Sequence, residues 1–128
     1  MERSGNWLAQ AKRDLEKAHL DLEHAYYEWA CFTAHQAAEK AVKAVFQAQG
    51  RSIRGHALLQ MLPEIQKGAR VPEELLHAAR VLDRYYIEAR YPNGFASGAP
   101  MEYFDQILAT EAIHAADEIV RFCSDHLG

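Results

Sequence analysis

The chain has 128 residues, 49% hydrophobic and 25% charged, with a formal net charge of −4. That balance belongs to a folded domain; with only 7 Gly and 4 Pro it excludes intrinsic disorder and collagen-like or low-complexity sequence. A folded chain of this size exposes roughly 6,900 Å², against about 21,000 Å² when extended, so we expect a single domain whose core needs no disulfide or metal. No apolar run approaches the roughly 18 residues of a membrane span, and no secretory-type stretch follows residues 1–6. We therefore expect a cytoplasmic protein without membrane contact. Residues 1–50 carry 6 basic and 7 acidic groups, residues 51–100 carry 7 and 5, and residues 101–128 carry 1 and 6. An acidic chain argues against a duplex-DNA grip. Six of the nine arginines lie between 51 and 90, which leaves a local phosphate site open.

The periodicity is helical almost throughout. A first helix is predicted over 6–25, with Leu8, Ala11, Leu15, Ala18, Leu22 and Ala25 on its apolar stripe. A second is predicted over 27–49, stopped by Gly50. Its inner face is small: Ala30, Ala34, Ala37, Ala41, Ala44 and Ala48. Small side chains admit a close neighbour, so this helix should be central. Residues 50–57 read as a loop, and 57–66 as a short helix weakened by Pro63. Residues 67–72 form a connector. A fourth helix should run from Pro72 or Glu73 to Arg90, with Leu75, Ala79, Leu82 and Tyr86 inward and Arg80, Asp83, Ile87 and Arg90 on the adjacent strip. The Gly/Pro-rich stretch 91–100 breaks it and reads as functional or mobile. A last helix is predicted over 101–126, with two apolar stripes. The expected fold is an all-α, up-and-down bundle of four long helices and one short one.

Familiar chemical motifs are missing. There is no phosphate-cradling glycine loop, no H-E-x-x-H, no CxxC and no G-x-S-x-G elbow. Of the seven histidines, His19 and His24 point about 140° apart on a helix, and the others have no partner at i+3 or i+4. No metal site or cofactor is expected. Cys31 and Cys123 read as buried free thiols.

Three segments carry more. They are Gln36 to Ala44 (QAAEKAVKA), Gly55-His56-Ala57-Leu58, and Tyr86 to Pro92 (YIEARYP). In this order, with Asp14-Leu15 on the first helix, they resemble the HEPN family (higher eukaryotes and prokaryotes nucleotide-binding domain) over residues 7–123, in its Arg-Tyr-Pro branch. The resemblance implies a homodimer and a separate minimal nucleotidyltransferase as partner, in a toxin–antitoxin-like system. Many members are metal-independent endoribonucleases with an Arg-x₄₋₆-His motif near the start of the last core helix, where arginine binds the phosphate and histidine moves a proton. At that junction this chain has Arg90 with no histidine at the required spacing. Looser matches (Arg13/His19, Arg51/His56, Arg70/His77, Arg121/His126) sit elsewhere.

The favoured reading is a non-enzymatic nucleotide- or RNA-binding module, with no catalytic residue assigned. Its candidate ligand contacts are Arg90, Tyr91, Lys43, Glu39, Lys40 and His56. Arg90 would clamp a phosphate, Tyr91 would stack on a base or shape the turn, and Glu39 would orient Arg90 or Lys43. Two alternatives stand. One is a metal-independent ribonuclease using Arg90 with Tyr91, His56 or His35 as proton shuttle. The other is a structural helical dimer without a ligand.

Overall fold

A computed structural model describes residues 2–65 and 71–128. Among these, every regular element is helical: α1 (Ser4–Glu23), α2 (Tyr27–Ala48), α3 (Leu58–Met61), α4 (Glu73–Asp83), α5 (Tyr85–Glu88) and α6 (Gln106–Leu127), with short 3₁₀ turns at Leu62–Glu64, Pro92–Gly94 and Pro100–Glu102. The all-α bundle expected from periodicity is therefore the fold. The accessible surface is 7455 Å², close to the value expected from chain length.

The central position of α2 follows from its alanines. Ala30, Ala34, Ala37, Ala38, Ala41 and Ala44 are fully buried, and α6 faces them with the buried Ala109, Ala112, Ala115 and Ala116. α2 packs against both α1 and α6, and its small side chains admit both neighbours. α1 packs antiparallel to α2 in one register, tied by Lys40–Asp14 and by Thr33 donating to Asp21. Larger side chains, Phe46 of α2 with Leu58, Met61, Leu62 and Leu82 of the later elements, complete one core cluster. Cys31 and Cys123 are buried free thiols, and burial pushes both up to about 12, which makes them inert.

Several features differ from the sequence expectation. The fourth helix is interrupted at Arg84, which keeps helical backbone angles (φ −60°, ψ −30°) while the ladder breaks, leaving eleven residues in α4 and four in α5. The last helix starts at Gln106, because Asp105 caps it by accepting from the Leu108 N–H at 2.8 Å. Ala48, expected inward, is exposed at the end of α2. Stretch 91–100 is pinned rather than loose: Phe95 stacks on Tyr103 at 4.1 Å, Glu102 accepts from the Ala99 N–H at 2.7 Å, and the Tyr103 hydroxyl donates to the Ser97 carbonyl. The predicted end of the short helix at Gln66, the connector residues 67–70 and the Arg70 of the Arg70/His77 pair lie outside the described residues, as does the side chain of Ile87.

Ala25, which periodicity puts on the stripe of α1, is exposed and lies just past the end of the helix. Its φ of 66° lies in the left-handed region, and the Tyr26 N–H reaches back to the Asp21 carbonyl at 2.8 Å. Glycine takes this position without a Cβ clash. Ala25→Gly should therefore stabilise the fold by about 1 kcal/mol, read as a rise in thermal midpoint, and a fall would refute the assignment.

Candidate functional site

The site forms where α2, the loop before α3, and the end of α5 meet. Glu39 on α2 is nearly buried, at 5% exposure. Its two oxygens are divided between partners: Lys43 Nζ lies 2.8 Å from Oε2, and His56 Nδ1 lies 2.9 Å from Oε1. An i,i+4 pair holds Lys43 on the same helical face. The acceptor at Nδ1 assigns the proton there, which leaves the Nε2 lone pair of His56 free. Nε2 has no hydrogen-bond partner among the described residues.

Tyr86 supplies the wall. The His56 ring stacks on it with centroids 4.6 Å apart and planes at 17°. Arg90 comes from the following turn, so its guanidinium returns to the same ring at 4.8 Å. Phe32 at 4.5 Å and Tyr91 at 4.8 Å complete three aromatic faces around that cation. Arg90 Nε donates to the Tyr86 carbonyl at 3.1 Å, which fixes the fork. No carboxylate pairs with Arg90 among the described residues.

Beneath lies a structural layer. His35 is fully buried, with Nε2 3.2 Å from Asp83 Oδ1 and Nδ1 3.4 Å from the Gln36 amide. The neutral Nε2–H tautomer satisfies both contacts. Asp83 also accepts from the backbone N–H groups of Leu58 at 2.9 Å and Leu59 at 3.0 Å. It thus caps α3 from another helix, and α3 carries His56 two residues before its start. Burial pushes the Asp83 carboxyl up, but the hydrogen bonds from His35, Leu59 and Leu58 outweigh it and hold it below the usual 3.8.

Of the predicted residues, the structure brings Arg90, Tyr91, His56, Glu39 and Lys43 together. Lys40 departs: it pairs with Asp14 on α1, because one helical step turns it away from Glu39. Glu39 orients His56 and Lys43, not Arg90. The Arg51/His56 spacing match is incidental, since Arg51 donates to the carbonyl of Glu64 and to Gln49. Sequence reasoning missed Phe32 as a cation platform and Asp83 as a cap; their partners lie 24 to 58 positions away along the chain. Among the described residues no group of three or more His, Cys, Asp or Glu is arranged to hold a metal, and no helix is long and apolar enough to cross a membrane.

The HEPN domain family profile matches residues 4–126, and the chain belongs to that family. It is similar to TT1696 from Thermus thermophilus (TM-score 0.94, 39% identity, 98% of each chain). It is also similar to ST0689, an archaeal HEPN homologue (0.83, 38%, 100% of each), and to a HEPN domain protein, tm0613, of Thermotoga maritima (0.77, 41%, 95% of this chain and 97% of that one). A distant relative in Methanocaldococcus jannaschii, 23% identical over 94% of this chain and 86% of its own length, bears the name "Putative toxin MJ1304".

Asp83 gives a pH-dependent prediction. Its carboxyl is depressed in the folded state, so its stabilisation is present above the unfolded value and is lost as pH falls through the folded one. Asp83→Asn should cost about 2 kcal/mol at pH 7 in urea unfolding. The gap from wild type should narrow below about pH 4. A gap independent of pH would refute the role given to the charge.

Proposed function

We propose that this chain is a nucleotide- or RNA-binding HEPN module that works beside a separate minimal nucleotidyltransferase in a toxin–antitoxin-like pair. The observation that carries the reading is Arg90: a half-buried cation, fixed by a backbone carbonyl and three rings, with no carboxylate partner among the described residues. Such a group is prepared for a ligand anion, and the fork geometry of guanidinium suits phosphate. Tyr91, 48% exposed beside it, offers a face to a base. The toxin name of the distant relative supports the pairing, as does the family.

The direct test is fluorescence anisotropy with a labelled single-stranded oligoribonucleotide, beside thermal shifts with ATP and UTP. Arg90→Ala should weaken binding at least tenfold, about 1.4 kcal/mol, while the protein stays folded. Equal binding by wild type and variant would remove Arg90 from the site. No binding of RNA or nucleotide by folded wild type would leave the structural dimer.

Self-association is part of the proposal. Ile107 at the start of α6 is 78% exposed and Met101 in the turn before it 68%, while Tyr26 and Trp29 are exposed at the start of α2. The turn Pro100–Glu102, which leads into α6, packs against α2. Large apolar groups exposed around one end support burial against a second copy. Ile107→Glu should shift the sedimentation equilibrium from dimer towards monomer; an unchanged mass would place the interface elsewhere.

A further inference from the structure

We propose that Trp7, Arg3 and Lys40 form a second, base-stacking subsite beside the start of α1, and that the ligand is a single-stranded oligonucleotide laid along α2 from there to Arg90. This rests on the reading of Arg90 as a phosphate contact and extends the ligand from one nucleotide to several.

The floor of the path is one strip of α2. From Ala34 to Gln47 every residue is buried except Gln36, Lys40, Lys43 and Gln47. Spacings of four, three and four keep these on a single face, and the strip extends about 16 Å along the axis. Lys43 borders the wall already described, through Glu39 and His56. Lys40, one turn away, lines a separate cleft of about 260 Å³ together with Arg3, Asn6, Trp7 and Gln10. The antiparallel register, fixed by Lys40–Asp14 and Thr33–Asp21, sets the start of α1 beside the later part of α2. Arg90 lies over Phe32, near the other end.

The cleft has the parts that a base and its phosphate require. Trp7 is half-buried, so its ring is seated yet reachable. Every base has a π-face, and stacking on indole needs no particular sequence. The Arg3 side chain makes no ion pair or hydrogen bond among the described residues, and it gives its own helix no side-chain cap. The Asn6 amide is uncommitted in the same sense. Gln10 donates to Asp14 at 2.9 Å, which leaves its carbonyl oxygen to accept from a base edge. Lys40 and Lys43 are matched by Asp14 and Glu39, so the middle of the path is nearly neutral. The phosphate grip therefore falls to the guanidiniums at the two ends, Arg3 and Arg90, neither of which has a carboxylate partner among the described residues.

The test uses the full chain with labelled RNA and DNA decamers of one sequence, and UTP as a ligand too short to span the strip. Trp7→Leu keeps the apolar bulk and removes the ring. It should weaken decamer binding about fivefold or more, while the UTP-dependent thermal shift that needs Arg90 persists. Arg3→Ala should lower the salt slope of decamer binding by about one. Trp29→Phe leaves Trp7 as the only indole of the chain. Its emission should then be quenched by a saturating decamer and not by inorganic polyphosphate, which has no bases. Whichever decamer binds tighter identifies the sugar. Wild-type decamer affinity in Trp7→Leu, unquenched Trp7 emission at saturation, or equal quenching by polyphosphate would each overturn the proposal. Loss of both decamer binding and the UTP shift in Trp7→Leu would make Trp7 a structural residue and overturn it too. Failure of wild type to bind decamer or UTP removes the Arg90 reading and this one together, whereas an Arg90-dependent UTP shift with Trp7-independent decamer binding removes this one alone.

Discussion

One carboxylate joins the parts of this site. Asp83 at the end of α4 receives the first two backbone N–H groups of α3 and the imidazole of His35 on α2. A helix of four residues cannot hold itself together in water, because nucleation costs more than its few hydrogen bonds return. An acceptor brought in from another helix satisfies the orphan donors and fixes the direction of the approaching loop. Everything attached to that loop, His56 above all, inherits its position from Asp83.

The cap also explains why two chemically similar clusters, one above the other, have different characters. In the lower one, Asp83 with His35 and Gln36, both ring nitrogens of His35 and both oxygens of Asp83 are engaged, and the imidazole is sealed. In the upper one, Glu39 is saturated by Lys43 and His56, yet one nitrogen of His56 and the outer edge of Arg90 remain turned outward. Buried polar groups without partners are costly, so a core tolerates the first kind of cluster and a surface is needed for the second. The boundary between architecture and chemistry runs through the Tyr86 ring, which touches His35, His56 and Arg90.

Much of the fold was legible because helical period and residue size are local signals. The alanine face of α2 marks it as the central helix, and its packing against both α1 and α6 agrees. Two ends were misread for a common reason. At Asp105 and at Ala25, backbone capping decided the boundary and the apolar stripe did not. The loop over 91–100 has the composition of a mobile segment, but aromatic stacking between Phe95 and Tyr103 closes it on itself. The candidate residues came from resemblance, and their grouping came only from the folded chain. Lys40 and Lys43 look equivalent in sequence; 100° per residue sends one to α1 and the other to Glu39. Asp83 gave no warning of its capping role, because a cap supplied from another helix leaves no spacing to read.

The alanine seam between α2 and α6 has a mechanical consequence. Buried alanines on both helices leave little room beside Cys31, Ile119 and Cys123, so an added methylene there strains the packing or displaces a helix axis. Glu39 rides on α2, while its histidine partner is anchored through α4. A change of volume on the far side of the bundle would then shear the carboxylate past the imidazole without touching either. The precision of a polar contact at the surface is thus set by the stiffness of an apolar joint behind it, and drift at the seam is constrained by alignment at the rim as well as by stability.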